Sequence, residues 1–182
     1  AVGRRCTTGS TTVLGDLAQA TTPWGSRSWD EALVHLGKPA AHIEQLTRGF
    51  RVPGEVIEYA ARLLPSIAPD LEPPTSVRRT RGELEVVRVD DVVAAAAEEA
   101  RRAVDRVGSV GLIAPDAIVA KVSATLTDAG VNHAVLGEEP DAVEAKLDLV
   151  PASLAKGLEF DHVVLLEPAG LVAGEADPVT RQ

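Results

Sequence analysis

Among the 182 residues, the segment LAKGLEFDHVVLLEP, Leu154 to Pro168, carries the densest group of side chains able to do chemistry. Lys156, Gly157, Glu159 and Asp161 crowd the entrance of the apolar run Val163 to Leu166. Four hydrophobic residues in succession predict a buried strand. Charged groups at such an entrance ask for a role other than core packing. Motifs for the commoner chemistries are missing from the chain. No G-x-x-x-x-G-K-[ST] is present, since Gly37-Lys38 runs into Pro39 without an upstream glycine, so the chain has no phosphate loop of its own. GSVG at Gly108 to Gly111 precedes a strand instead of joining strand to helix, which argues against a Rossmann dehydrogenase. His35, His42, His133 and His162 lack metal-type spacing, and Ser153 has no G-x-S-x-G elbow around it. The sequence therefore predicts no metal site.

The elements that must position these residues alternate along the chain. Thr11 to Gly15 predicts a short buried strand whose functional end is Gly15 and Asp16. Ser28 to Leu36 has a serine cap and early carboxylates, the signature of a short helix. Ala41 to Leu46 predicts a strand, and Pro53 to Leu64 a helix that stops at Pro65. Ser66 to Arg81 is Pro-rich and polar, a surface connection. GELEVVRV alternates as a strand, and DDVVAAAAEEARRAVDRV is a helix with an acidic start and a basic end. SVGLIAP, HAVLG, LDLVP and DHVVLLEP follow as strands, with a helix over PDAIVAKVSATLTDAG stopped by Gly130 and a short helical stretch near Pro140 to Lys146. Such alternation predicts an α/β fold with a mostly parallel sheet flanked by helices, ligands gathering at the carboxyl ends of the strands.

Composition supports this class. Hydrophobic residues make up 45% and aromatics 3%, so the core is aliphatic, as in parallel sheets covered by helices. The formal charge of -9 argues against a broad basic surface that would hold nucleic acid by counterion release alone, so any nucleic-acid contact must be local. The single cysteine, Cys6, cannot form an internal disulfide, and no apolar run has the length of a membrane span. The plain expectation is a cytoplasmic protein without membrane contact. Absence of methionine and the abrupt ends suggest a piece of something longer, with the domain at residues 1–170 and a loop or truncated tail at 171–182.

Three stretches in order resemble motifs of the UvrD/Rep-type superfamily 1 DNA helicases, most closely the HelD (helicase IV-like) branch. TVLGDLAQATTPWGS, Thr12 to Ser26, is similar to G-D-x-x-Q followed by tryptophan. LTRGFRVPGEV, Leu46 to Val56, resembles L-x-x-N-Y-R-x-P, and LAKGLEFDHVVLLEP resembles A-K-G-L-E-F-x-x-V. The resemblance spans about Val13 to Pro168 and implies a three-layer RecA-like, P-loop NTPase-type domain, the second motor domain of an ATP-dependent helicase. It further implies a preceding RecA-like domain with the phosphate loop and Asp-Glu box, and a last arginine motif beyond Gln182. ATP with magnesium would then be shared between domains, most of its ligands lying outside this chain.

The resemblance also assigns roles. Gln19 would contact the γ-phosphate or attacking water, with Asp16 holding its loop, and Arg51 would be the arginine finger. Glu159 would hydrogen-bond the ribose, and Gly157 would let backbone approach closely. Trp24 would stack on a base of single-stranded DNA, and Lys156 would contact phosphate or close its loop electrostatically. Each has a plainer reading: packing for Trp24, a solvated or salt-bridged arginine for Arg51, a loop cap for Gln19, a helix or turn cap for Glu159. Trp29, on a helix, reads as core. The family's Asn-Tyr before the arginine is Gly49-Phe50 here, and Ser153 stands near the place where related helicases carry histidine. Roughly a hundred residues separate Arg51 from Lys156, too few for a large accessory domain, which favours a HelD-like translocase. In that branch RNA polymerase is another partner to consider, reached through protein contacts.

Overall fold

The structure is a computed structural model that describes residues 8–19, 25–26, 28–69, 71–78, 84–138 and 145–174. The chain divides into two compact units, Ala1–Val86 with Asp177–Gln182, and Val87–Ala176. Every strand pairing among the described residues is parallel, and helices alternate with the strands, which is the α/β class that the alternation predicts. No helix among the described residues is long and apolar enough to cross a membrane.

The first unit is built from short pieces. Helix α1 (Trp29–His35) starts where expected: the Ser28 hydroxyl oxygen accepts the Glu31 N–H at 3.1 Å. Strand β1 (Arg48–Gly49) pairs with β2 (Thr75–Ser76), and between them lie α2 (Gly54–Ala60), a 3₁₀ turn (Ala61–Leu63) and α3 (Leu64–Ile67). Two expected strands do not form. Thr11 to Gly15 and Ala41 to Leu46 belong to no ladder, with Leu14 86% and Leu46 81% exposed. An extended segment becomes a strand only when a neighbouring edge takes its backbone hydrogen bonds; in the second case the pairing falls instead on Arg48–Gly49. Its partner, Thr75–Ser76, lies inside the segment expected to be a plain connection. Pro65 does not end the helical run either, because it occupies the first turn of α3, where its missing N–H costs no hydrogen bond.

The second unit holds the larger core. Helix α4 (Val92–Val104) buries Val93, Ala96, Ala97, Ala100 and Ala103, one face at three- and four-residue spacing whose small side chains allow close packing. The sheet has the order β4-β5-β3-β6, from β3 (Val110–Ala114), β4 (Ala134–Val135), β5 (Leu147–Pro151) and β6 (His162–Leu165). Val110, Leu112 and Ala114 of β3 and Leu147 and Leu149 of β5 join one buried cluster with α4 and with α5 (Val119–Asp128). Helix α5 ends in a Schellman motif: Val131 N–H donates to Leu126 O and Gly130 N–H to Thr127 O, each at 2.9 Å. Gly130 takes the required positive φ of 71°, which explains the stop predicted there. Lys146 donates to the carbonyls of Val104 and Arg106, and Arg101 to that of Ala129, so cations close the carboxyl ends of both helices.

Three expectations change here. GELEVVRV joins no ladder over its described part, Leu84 to Val89, and Val86 and Val87 are more than half exposed. The run Val163 to Leu166 is not buried throughout: β6 is an edge strand, Val163 is 55% and Leu165 51% exposed, while Val164 packs on the core and Leu166 is buried. Its side chains alternate between the core and the outside, so only one face of β6 packs on the core. The segment read as a tail begins helically, as α6 (Pro168–Gly174); residues 175–182 and most of the stretch near Pro140 to Lys146 lie outside the described residues.

Asp91 caps α4, its Oδ1 accepting N–H groups from Val93 at 3.0 Å and Ala94 at 3.1 Å. The bond from Ala94, then that from Val93, holds its carboxyl below the ordinary aspartate range. A depressed folded pKa makes this contribution to stability present above the unfolded value, about pH 3.9, and lost as pH falls through the folded value. Urea midpoints measured from pH 6 down to pH 2.5 are expected to fall in acid less steeply for Asp91→Asn, which caps without titrating, than for the wild type.

Candidate functional site

The polar entrance to β6 is explained by topology. Ten residues, 152–161, must lead from the end of β5 across the neighbouring β3 to the start of β6, a parallel crossover shorter than the dozen or more residues usual for such links. They form a 3₁₀ turn (Ala152–Leu154) and a strap without a helix. The strap is anchored by Phe160, whose ring occupies the place where a Cβ on buried Gly111 would sit, 2.4 Å from its Cδ2. Gly111 belongs to the face of β3 opposite the one that meets α4 and α5. Its missing side chain lets the strap cross.

Asp161 fastens the strap's far end. Its Oδ2 accepts from Ser109 N–H at 2.8 Å and Ser109 Oγ at 3.1 Å, and Asp161 N–H donates back to Ser109 Oγ at 3.2 Å. Gly108, at φ 112°, lies so close that a Cβ there would overlap the Asp161 carboxylate. The GSVG segment, which carries no dinucleotide signal, thus makes room for the strap. This role leaves no motif in the sequence; only the register of β3 against β6 brings Gly108 to Gly111 beside Phe160 and Asp161.

Between these anchors, Lys156, Gly157, Leu158 and Glu159 are exposed. Gly157 has φ 83° with nothing near its would-be Cβ, so the backbone conformation, not crowding, calls for glycine. The strap presents an ammonium and a carboxylate on an open turn, groups suited to phosphate and to hydroxyls respectively.

In the first unit, Asp16 and Gln19 come together as expected. Asp16 Oδ2 accepts from Gln19 Nε2 at 3.1 Å, and Oδ1 from Ala18 N–H at 3.0 Å, across the 3₁₀ turn Leu17–Gln19. A carboxylate can only accept, so the amide turns its nitrogen to Asp16 and points its oxygen elsewhere. That oxygen can only accept a hydrogen bond. Trp29 packs against Gly15, its ring 3.1 Å from a would-be Cβ, and so braces the turn from α1. Arg51 is exposed in the loop between β1 and α2. That loop is held by Arg78, whose Nη1 donates to Arg51 O at 3.0 Å, and by Ser76 Oγ, which donates to Val52 O at 2.7 Å. Trp24 lies outside the described residues.

The histidines have structural partners. His133 Nδ1 meets Val131 O at 3.0 Å and its Nε2 meets Ser123 Oγ at 2.8 Å; His162 Nε2 meets Val107 O at 3.0 Å. Since a carbonyl only accepts, His133 carries its proton on Nδ1 and receives the Ser123 hydroxyl. Among the described residues no three His, Cys, Asp or Glu side chains converge as metal ligands. Another residue unmarked in the sequence is Glu167, at the carboxyl end of β6 with φ 43°, a conformation rare outside glycine.

No protein-family model, curated protein or solved structure matches this chain, so the likeness to helicases rests on its three motifs.

Gly111→Ala is expected to destabilise the fold by about 1–3 kcal/mol through overpacking against Phe160. Urea unfolding checks this, and adding Phe160→Leu to Gly111→Ala should recover part of the loss, since the two residues touch.

Proposed function

We propose that the chain is part of the motor of a cytoplasmic, ATP-dependent DNA helicase or translocase of UvrD/Rep type, closest to the HelD branch. The observation that carries this reading is that the described chemical residues of three motifs in family order lie on exposed turns, each braced by its own neighbours. Exposure is what a domain needs when it supplies groups to a nucleotide or strand bound against another domain.

In this reading the nucleotide brings the γ-phosphate and its magnesium, and the phosphate loop comes from a separate RecA-like domain. Gln19 orients water through its amide oxygen while Asp16 holds the amide nitrogen. Arg51 offers a guanidinium to the charge that develops on the phosphoryl oxygens, a contribution of roughly 10³–10⁵ in rate where such arginines act. Glu159 accepts from ribose hydroxyls, Gly157 keeps the turn's backbone geometry, and Lys156 pairs with a phosphate. Trp24 supplies a stacking surface for single-stranded DNA, a sequence-tolerant contact compatible with an acidic protein.

Arg51→Ala in the full-length protein is expected to lower the turnover number of ATP hydrolysis by about 10³ while nucleotide affinity changes little. Steady-state hydrolysis beside fluorescent-nucleotide titration measures both, and unchanged turnover would overturn the proposal. The 182-residue chain alone, which has no phosphate loop, is expected to release no phosphate from ATP above background; activity that disappears with Arg51→Ala would contradict this.

A further inference from the structure

Ser153 is tied to Asp116 by two hydrogen bonds. Both donors of this one residue go to Asp116: the hydroxyl to Oδ1 at 2.5 Å and the backbone N–H to Oδ2 at 3.2 Å. Asp116 opens the turn after β3, and Ser153 lies in the turn after β5. The two strands are neighbours, with Ala114 paired to Pro151. One carboxylate therefore ties two adjacent strand ends at the point where the strap departs. The far end carries the Ser109–Asp161 clasp, and Phe160 rests on Gly111 beside it. The strap is thus fastened at both ends, and the charged groups of its tip, Lys156 to Glu159, lie exposed.

We infer that Asp116 is a positioning residue: by holding Ser153 it fixes where the Lys156–Glu159 tip lies, so that its charges meet a ligand already ordered. Ordering a mobile loop at the moment of binding subtracts from affinity, and a loop ordered beforehand avoids that cost. A carboxylate is the fitting group because it accepts from two donors of one residue, whereas an amide would turn its own N–H₂ toward one of them. The effect on binding rests on the translocase reading above; the ordering of the strap does not.

The test uses amide hydrogen exchange and the binding of a fluorescein-labelled oligodeoxythymidylate, both on the 182-residue chain. Asp116→Ala and Ser153→Val are expected to speed exchange at residue 153, Ala155 and Leu158 roughly five- to tenfold and to weaken oligonucleotide binding by a similar factor. Exchange within α4 should stay unchanged, which separates local loosening from loss of the fold. Ser153→Thr has the shape of the valine variant but keeps the hydroxyl, and it is expected to restore both readouts. Unchanged exchange in both Asp116→Ala and Ser153→Val, or no difference between threonine and valine, would overturn the inference. Faster exchange with unaltered affinity overturns the positioning role if Lys156→Ala weakens binding. Should Lys156→Ala leave binding unaltered, the DNA role of the strap falls instead, and the exchange rates alone decide whether Asp116 orders it.

Discussion

The second unit depends on how a ten-residue link passes from one parallel strand to another across a third. Parallel neighbours force the chain to travel back the full height of the sheet, and a helix normally fills that path. Here the path is too short for one, so the strap must lie close against the sheet. Closeness requires a surface without side chains at the crossing, and Gly111 supplies it under the Phe160 ring. It also requires a fixed landing, which Asp161 makes on Ser109. A bulky residue at Gly111, under Phe160, or at Gly108, against Asp161, would lift the strap and, with it, the exposed tip.

The same economy governs the helices on the opposite face. Alanines on α4 let it approach β3 closely, and the helix ends are closed by side chains instead of by tertiary burial. Asp91 satisfies the first N–H groups of α4, while Lys146 and Arg101 satisfy carbonyls at the ends of α4 and α5. The surface ion pairs of Arg102 with Glu98 and Glu99 are exposed, and such pairs typically contribute little. Stability in this unit comes from aliphatic burial and from capped ends, consistent with a sequence poor in aromatic residues.

The chemical residues share one design across both units. Asp16 orients Gln19, Arg78 and Ser76 hold the backbone beside Arg51, and two carboxylates fasten the strap around Lys156 to Glu159. In each case a polar group outside the proposed contact spends its hydrogen bonds on geometry.

Much of the local structure was legible in residue order. The cap at Ser28, the acidic start of α4 at Asp91, the stop at Gly130 and the runs of β3 and β5 all depend on neighbours a few positions apart, where spacing alone sets the geometry. Partners distant in sequence were not legible. Thr11 to Gly15 and Ala41 to Leu46 have strand composition but join no ladder among the described residues, and Arg48–Gly49 pairs with residues inside a Pro-rich connection. Val163 and Leu165 look like core until the strand order puts β6 at the margin. The sequence by itself determined the aliphatic α/β character, the capped helices and the polarity of the strap. Only the tertiary structure decided how that strap is held, because Asp116, Ser109 and Gly111 become its supports through strand register, a relation between residues 37 to 52 positions apart that no local pattern records.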